Sequence, residues 1–158
     1  RGRREDRVSD GFSAEERASM KQRAEELRTM KGVKGAAKKA REHEACIAAI
    51  DGLEGSDKEI AQGLHRIVTA VAPELDPKTW YGFPTYAKDG KNIVFYQPAS
   101  KFGTRYGTVG FQEDAALDEG AMWATSHAVT AMTPAVEAEL AALVRRAVGR
   151  PEDPAEGA

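Results

Sequence analysis

A tight turn between two aromatic segments constrains this chain more than any other feature. Asp89-Gly90 is a pair typical of the two-residue type I′ hairpin turn, and it separates the segments 79–88 and 91–97, which are rich in aromatic and β-branched residues. The sequence therefore predicts a β-hairpin over residues 80–96. Because a two-residue turn fixes the register, the predicted pairs are Lys88–Lys91, Tyr86–Ile93 and Pro84–Phe95.

The same register predicts what each face of the hairpin carries, since side chains alternate along a strand. We expect Tyr86, Ile93 and Phe95 on one face and Val94 and Tyr96 on the other. Both faces are then apolar. Such a sheet cannot leave one side in water, so we expect it to be covered on both sides.

Helical patterns precede and follow the hairpin. Ser13 with Glu16 and Ser56 with Glu59 have the spacing of a capping box, which marks the start of a helix. The predicted helices are 13–30, with Met20, Ala24 and Leu27 as an apolar stripe, 36–53, 56 to about 72, and a last one that opens at Thr133-Pro134.

Two further strands are predicted after the hairpin. One runs from Lys101 to Phe111 and places Lys101 and Arg105 on the same side, and the other lies within 122–132. Helices, a run of strands and a final helix, in that order, are typical of an α+β fold with a largely antiparallel sheet.

The length of 158 residues suits one domain with tails. We expect a disordered basic tail over 1–12, a helical N-terminal extension over 13–44, the α+β domain over 45–149 and a disordered acidic tail over 150–158. Residues 1–44 hold 13 Lys and Arg against 9 Asp and Glu. Acidic residues are mixed through this arm and aromatic interleaving is missing, which weighs against nucleic-acid binding.

Composition favours a cytoplasmic protein without a membrane segment. No apolar run approaches the roughly 20 residues of a bilayer-spanning helix, and the opening RGRREDR has no apolar region of a secretory signal. The single cysteine, Cys46, cannot form an internal disulfide, which favours a reducing compartment.

Metal ligation has two candidate regions. His43 and Cys46 lie three residues apart on one predicted helical face, but a closed site needs about four ligands. Carboxylates, which hard iron ions prefer, crowd the junction of the second and third helices, where the alternative is a solvated surface. They are Glu42, Glu44, Asp51, Glu54, Asp57 and Glu59.

No residue pattern defines a catalytic site. Ser126 and His127 are neighbours, so on a strand they point to opposite faces and cannot pair as nucleophile and base. Cys46 has no identified positive activator. We therefore predict a non-enzymatic protein, with an enzyme accessory domain as a further alternative.

Cationic and aromatic residues beside the hairpin predict a ligand cleft. Cations among aromatic rings suit a small anionic ligand or a partner protein. The alternative is that Lys101 and Arg105 are outward, solvated charges. The candidate ligand-binding residues are Trp80, Tyr86, Lys101, Arg105, Tyr106 and Trp123.

The segment 80–123 also resembles a known family. It contains W-x-G-x-P-x-Y at Trp80, Gly82, Pro84 and Tyr86, K-F-x-x-R-Y at 101–106, then Leu117-Asp118 and Trp123. On these residues, about 45–149 resemble the YdhG-like domain-of-unknown-function family. The opening helix is similar to the extension of an actinobacterial-type subgroup.

The resemblance implies a fold and a role. The implied fold has helices packed on a curved, mostly antiparallel sheet of about five strands, a secretion-chaperone-like architecture. Some bacterial members of the family carry an iron-chaperone, frataxin-like label, so the implied role is intracellular iron handling by a cytosolic binding or carrier domain. The alternative is a module that binds a small anionic ligand or a partner protein in the aromatic and cationic cleft.

Overall fold

The computed structural model describes residues 11–150, which form five helices and five strands. The helices are α1 (Ala14–Thr29), α2 (Gly35–Asp51), α3 (Gly55–Val71), α4 (Ala99–Phe102) and α5 (Pro134–Ala147). The strands are β1 (Asp76–Trp80), β2 (Phe83–Lys88), β3 (Lys91–Gln97), β4 (Gly107–Phe111) and β5 (Ser126–Val129).

The strands form one antiparallel sheet in sequence order, β1-β2-β3-β4-β5, with β1 and β5 at its edges. Each strand pairs with the next, so only short connections are needed. The predicted α+β class, the five-stranded antiparallel sheet and the helices at both ends are confirmed. None of the helices between residues 11 and 150 combines the length and apolar composition that a bilayer crossing requires.

The β2–β3 turn forms as predicted. Asp89 and Gly90 have φ values of 50° and 79°, and a type I′ turn requires positive φ at both positions. Lys88 pairs with Lys91 across it.

A β-bulge after Tyr86 makes the rest of the predicted register wrong by one residue. Ile93 is the extra residue of β3, and Tyr86 is paired with Val94 instead. Directly opposed residues share a face, so Tyr86 lies on the face of Val94 and Tyr96 and is separated from Phe95.

Strand β1 is absent from the sequence-based prediction, which reads 79–88 as one segment. In the structure β1 pairs with β2 through a second two-residue turn, Tyr81-Gly82, with φ values of 53° and 77°. A tyrosine at positive φ is uncommon, so this turn has a much weaker sequence signal than Asp89-Gly90.

One face of the sheet carries the main hydrophobic core. Its strand residues pack against α2, α3 and α5, and Tyr86, Val94 and Tyr96 have no exposed surface. The helices contribute Cys46, Ile50, Ile60, Ala61, Leu64, Ile67, Val68, Leu140, Val144 and Ala147.

The opposite face carries a smaller aromatic cluster. The Phe95 ring centroid lies 5.5 Å from that of Trp80 and 6.3 Å from that of Phe83. Phe102, from α4, lies 5.7 Å from Phe83. Apolar side chains on both faces, as predicted, are confirmed.

The predicted strand from Lys101 to Phe111 is wrong in its first half. Residues 99–102 form α4, Gly103 follows in the left-handed conformation at φ 61°, and β4 begins at Gly107. Lys101 therefore lies on a short helix and Arg105 in the loop after it, and they do not share a strand face.

Asp57 explains why the chain turns into a helix at this point. Its buried carboxylate accepts hydrogen bonds from the backbone amides of Ala99 at 2.9 Å and Ser100 at 3.0 Å, and from the Tyr96 hydroxyl at 2.6 Å. Acceptance of the first amides of a helix is the chemistry of an N-cap. A residue of α3 therefore caps α4.

Of the three helix caps predicted from the sequence, two are confirmed. The Ser13 hydroxyl accepts a hydrogen bond from the Glu16 amide at 3.1 Å, and the Thr133 hydroxyl caps α5. The predicted capping box at 56–59 is wrong, because α3 begins at Gly55 and has no side-chain cap.

The predicted tails lie mainly outside the described residues. Arg150, assigned to the acidic tail, is described and bonds the Val71 carbonyl and, at 2.7 Å, the Glu74 carboxylate. The predicted end of the extension at residue 44 falls inside α2, which packs against β1 and β2.

Candidate functional site

Helix α1 contacts the β1–β2 turn through polar groups. The Ser19 hydroxyl donates to the carbonyl of Tyr81 at 2.9 Å, and the amide of Gly82 donates to Oε1 of Glu26 at 2.7 Å. Ser19 and Glu26 are seven residues apart, two turns along one helix face. Both polar groups of the peptide unit between Tyr81 and Gly82 are thus bonded by α1.

The apolar stripe of this helix does not face the sheet. Met20 and Leu27 are 39% and 59% exposed, and Ala24 is exposed as well. The face that contacts the sheet is instead the polar one, where Ser19 is buried and Glu26 is partly buried. Hydrophobic periodicity identifies the wrong face because this interface is made by hydrogen bonds.

Glu26 is the charged centre of the contact. Its side chain is 16% exposed and lies 3.3 Å from the Arg23 guanidinium. Burial lowers the pKa of the Lys101 ammonium, and the Glu26 carboxylate offsets part of that shift. Burial also lowers the pKa of Lys78, where Glu42 and Glu26 act in the opposite direction. The carboxylate therefore lies within the field of two partly desolvated lysines.

Lys101 reaches this region from α4. Its Nζ bonds Oε1 of Gln22 and lies 5.6 Å from the centroid of the Phe83 ring, within cation–π range. A Cβ built on Gly82 would collide with Lys101 and Gln22. Glycine is favoured there by its positive φ of 77°, whereas the ends of these two flexible side chains can move aside.

Two of the cavities beside the contact are large enough for a ligand. One of about 500 Å³ lies between α1, α2 and the turn and includes Gly82 and Lys101. The other, of about 850 Å³, has an aromatic wall of Tyr81, Phe83 and Phe102. We call this second space the aromatic cavity. Its opposite wall, formed by α1 and the two residues before it, comprises Phe12, Ser13, Glu15, Glu16, Ser19 and Met20.

The six ligand-binding residues predicted from the sequence do not surround one cleft. Tyr86 is wholly buried in the main core. Lys101 and Arg105 precede β4, whereas Trp123 follows it, near the bond from the Phe111 amide to the Thr125 carbonyl. The five-residue β4 spans about 13 Å, so Trp123 lies at its far end.

The remaining candidates have local contacts. Trp80 packs edge-on against Tyr81 at 5.1 Å and belongs to the aromatic cluster. The Arg105 guanidinium lies 5.4 Å from the centroid of the neighbouring Tyr106 ring, and both residues are exposed. Of the predicted set, Lys101 is the residue that lines the cavity beside the α1 contact.

A second polar cluster joins α2, α3 and β2. Nδ1 of His65 lies 3.0 Å from the Tyr86 hydroxyl, and the ring centroids of His43 and His65 are 6.2 Å apart. Burial and the neighbouring His43 lower the pKa of His65. Burial raises the pKa of Cys46 to about 11, although hydrogen bonds from Tyr86 and the backbone oppose this shift. The thiol is therefore held protonated.

This cluster differs from the predicted His43–Cys46 ligand pair. Cys46 has no exposed surface and bonds Tyr86 inside the core, while His43 is at the surface. Across residues 11–150, the structure brings together no group of three or more His, Cys, Asp or Glu side chains suited to a metal ion. In the predicted acidic region, Asp57 is committed to Tyr96 and α4.

Sequence reasoning missed Ser19, Gln22, Glu26 and the Gly82 amide. A weak signal existed in Gly82, which follows Trp80-Tyr81 between two strand-like segments. Comparisons of the chain with protein-family models, with curated proteins and with solved structures found no match. Function is therefore inferred from the geometry of the contact itself.

Proposed function

We propose that this chain is a non-enzymatic binding domain that recognises a carboxylate-bearing ligand at the β1–β2 turn. The supporting observation is the Glu26 carboxylate, which accepts a hydrogen bond from the Gly82 amide at 2.7 Å. In this structure a side chain of the protein itself takes the place of the ligand. The proposal retains the cytoplasmic, YdhG-like binding role expected from the sequence and relocates its site.

The turn provides a preformed donor for a carboxylate. Its type I′ geometry fixes the direction of the Gly82 N–H, so no loop has to be ordered when an acceptor binds. A hydrogen bond to an ionised acceptor is shorter and about twice as strong as a neutral one. The 2.7 Å separation from Glu26 is in that shorter range.

Two lysines supply positive charge around that donor. Lys101 and Lys78 are partly buried, and burial lowers the pKa of each. Charges removed from bulk water are less screened, so each contributes more to an ion pair than a surface lysine does. An anionic group that replaces Glu26 would meet the same field.

The cavity of about 500 Å³ beside the turn supports binding of the rest of a ligand. Glu26, Gly82 and Lys101 line it, and its apolar wall comprises Ala45, Ala48, Ala49 and Leu53. Ligand sites commonly combine apolar walls with a few fixed polar groups, in volumes of about 300–1,000 Å³. This cavity is within that range.

The test uses N-acetylglutamate as a probe, with N-acetylglutaminamide, in which both carboxyl groups are amides, as its uncharged match. In the full chain with Glu26→Ala, the Gly82 amide is left without its carboxylate. We expect calorimetry to give at least about tenfold tighter binding of the acid than of the amide, since hydrogen bonds to charged groups contribute about 1.5–3 kcal/mol. Binding should also be tighter than to the unsubstituted chain.

Two further variants locate the site. Adding Lys101→Met to Glu26→Ala should weaken binding of the acid, whereas adding Lys88→Ala, an exposed lysine of the same hairpin, should not. Equal affinity for acid and amide, or equal loss in both lysine variants, would contradict the proposal.

A further inference from the structure

Helix α1 is held to the protein with little apolar burial. Of its 16 residues, Ser19 alone is buried. Helix α3, of nearly the same length, buries seven residues, including Ile60 and Leu64. Most helical stability in proteins comes from packing of an apolar face, so α1 is the most easily released of the four long helices, α1, α2, α3 and α5.

The hinge for such a release is present. Residues 30–34 connect α1 to α2, and Gly32 and Gly35 both have positive φ with no neighbouring atom within 4 Å of a built Cβ. Segments with few buried apolar contacts open at low free energy. Release of α1 would expose the turn and leave the core packing of α2, α3 and α5 intact.

The contacts of α1 define what a replacement must offer. The Tyr81 carbonyl takes a hydroxyl donor from Ser19, Lys101 takes an amide oxygen from Gln22, and the Gly82 amide takes a carboxylate from Glu26. These side chains are at positions i, i+3 and i+7 of one helix. The turn and α4 thus form a surface that is complementary to a helix face carrying a hydroxyl, an amide and a carboxylate group.

The fit of α1 to this surface is incomplete at its first turn. There Glu15 and Glu16 line the aromatic cavity opposite Phe83 and Phe102. Charged side chains are costly to desolvate against aromatic rings, so both glutamates remain exposed. A helix with apolar residues at these positions would cover Tyr81 and Phe102, which α1 leaves partly exposed.

We propose that α1 is an internal, displaceable occupant of a helix-binding surface, and that the partner is a helical segment of another protein. The partner carries a hydroxyl, an amide and a carboxylate at i, i+3 and i+7, with apolar residues three and four positions before the hydroxyl. Binding of this helix displaces α1. A partner is therefore recognised only if it binds this surface more tightly than α1 does. This inference rests on the proposed carboxylate site and extends it to a partner and a mode of regulation.

The experiment uses a labelled peptide of residues 13–30 that carries Glu15→Leu and Glu16→Leu, added to the full unsubstituted chain. Fluorescence anisotropy should show saturable binding. Amide hydrogen exchange should show loss of protection in α1 of the protein and unchanged protection in α3. The control peptide adds Ser19→Ala, Gln22→Ala and Glu26→Ala, and should bind at least about tenfold more weakly.

If the peptide does not bind the unsubstituted chain, either α1 competes too strongly or the chain has no binding surface for the peptide. A variant chain distinguishes these two explanations. In the full chain with Ser19→Arg and Glu26→Lys, α1 cannot make its contacts, so the leucine-substituted peptide should bind more tightly than to the unsubstituted chain. No binding to either chain overturns the inference, and so does equal binding of test and control peptides. If N-acetylglutamate still binds the Glu26→Ala chain, the carboxylate site stands and the helix inference alone fails; if it does not, both fail.

Discussion

The carboxylate of Glu26 accepts a hydrogen bond from the backbone amide of Gly82 at 2.7 Å, across 56 residues of sequence. This bond joins the N-terminal helix to a turn that sequence patterns do not reveal. It places a charged, partly buried carboxylate at the β1–β2 turn, within the field of Lys101. The predictions below concern the contact of α1 with the β1–β2 turn, the Asp57 cap that positions α4, and the buried polar groups of the core.

Substitution of Gly82 by alanine should loosen α1. The added Cβ would push aside the ends of the Lys101 and Gln22 side chains and so break their hydrogen bond, at a position where φ is 77°. Gly90→Ala is the matched control, because its φ is 79° but its built Cβ meets no atom within 4 Å. Hydrogen exchange should show loss of α1 protection in Gly82→Ala only, and equal α1 protection in both variants would contradict the predicted collision.

Substitution of Asp57 by alanine should lower the free energy of unfolding by about 2–3 kcal/mol, since it leaves the buried Tyr96 hydroxyl and two helix amides without their acceptor. Urea unfolding measures the loss, with the exposed Asp118→Ala as control. Because Asp57 positions α4, binding of N-acetylglutamate in the Glu26→Ala background should weaken too. A change below about 0.5 kcal/mol would contradict the capping role.

The stabilisation by Asp57 should disappear in acid. Burial alone would raise the pKa of this carboxyl, but hydrogen bonds from Ser100, Tyr96 and Ala99 outweigh burial and lower it below 3.8. A carboxyl with a lowered folded-state pKa stabilises the fold above its unfolded pKa, and this contribution is lost as pH falls through the folded value. The stability difference between the unsubstituted chain and Asp57→Asn should therefore shrink below about pH 4.

His65 should make the fold less stable on mild acidification. Its pKa is lowered by burial and by His43, so the unfolded chain binds the proton more readily. The free energy of unfolding should fall as pH decreases from about 6.5, and His65→Gln should flatten that dependence. Identical pH profiles for the two chains between pH 5 and 7 would be inconsistent with this assignment.

The Cys46 thiol should be unreactive in the folded protein. It has no exposed surface, and its pKa is raised to about 11, whereas the thiolate is the reactive form. Reaction with an aromatic disulfide reagent should be slow in buffer and complete in denaturant. Rapid reaction under native conditions would show that the core around Tyr86 opens readily.

Iron handling, implied by the family resemblance, stays a prediction with its own test. Ferrous or ferric titration should give a saturable spectroscopic shift that is lost when the exposed Asp51, Glu54 and Glu59 are neutralised together. Asp57 is left unchanged in that variant, because its loss would disturb α4. Absence of any iron-dependent shift would remove this role.

Much of the fold was predictable because its signals are local. The Asp89-Gly90 turn, the Ser13 cap and the Thr133 cap depend on a few neighbouring residues, and each forms as expected. The period of α3 likewise identifies its buried face, including Ile60 and Leu64. These features together were enough to predict the α+β class.

The failures share a different cause, which is a contact between residues distant in sequence. Residues 99–102 form a helix because Asp57 caps them. The polar face of α1 docks because Tyr81 and Gly82 present unpaired backbone groups. The bulge after Tyr86 has no local signal either, and it moves that residue into the core. The candidate site depends on all three, so of the predicted set Lys101 alone lines the cavity beside the α1 contact.

The Gly82 amide resonance gives the most direct test of the carboxylate site. In a ¹⁵N-labelled full chain with Glu26→Ala, N-acetylglutamate should shift the Gly82 amide proton downfield in a saturable way as the hydrogen bond re-forms, and the uncharged N-acetylglutaminamide should leave it nearly unchanged. Adding Lys101→Met should weaken that saturation. An equal shift with acid and amide, or none with either, would contradict the assignment of this turn as a carboxylate-binding site.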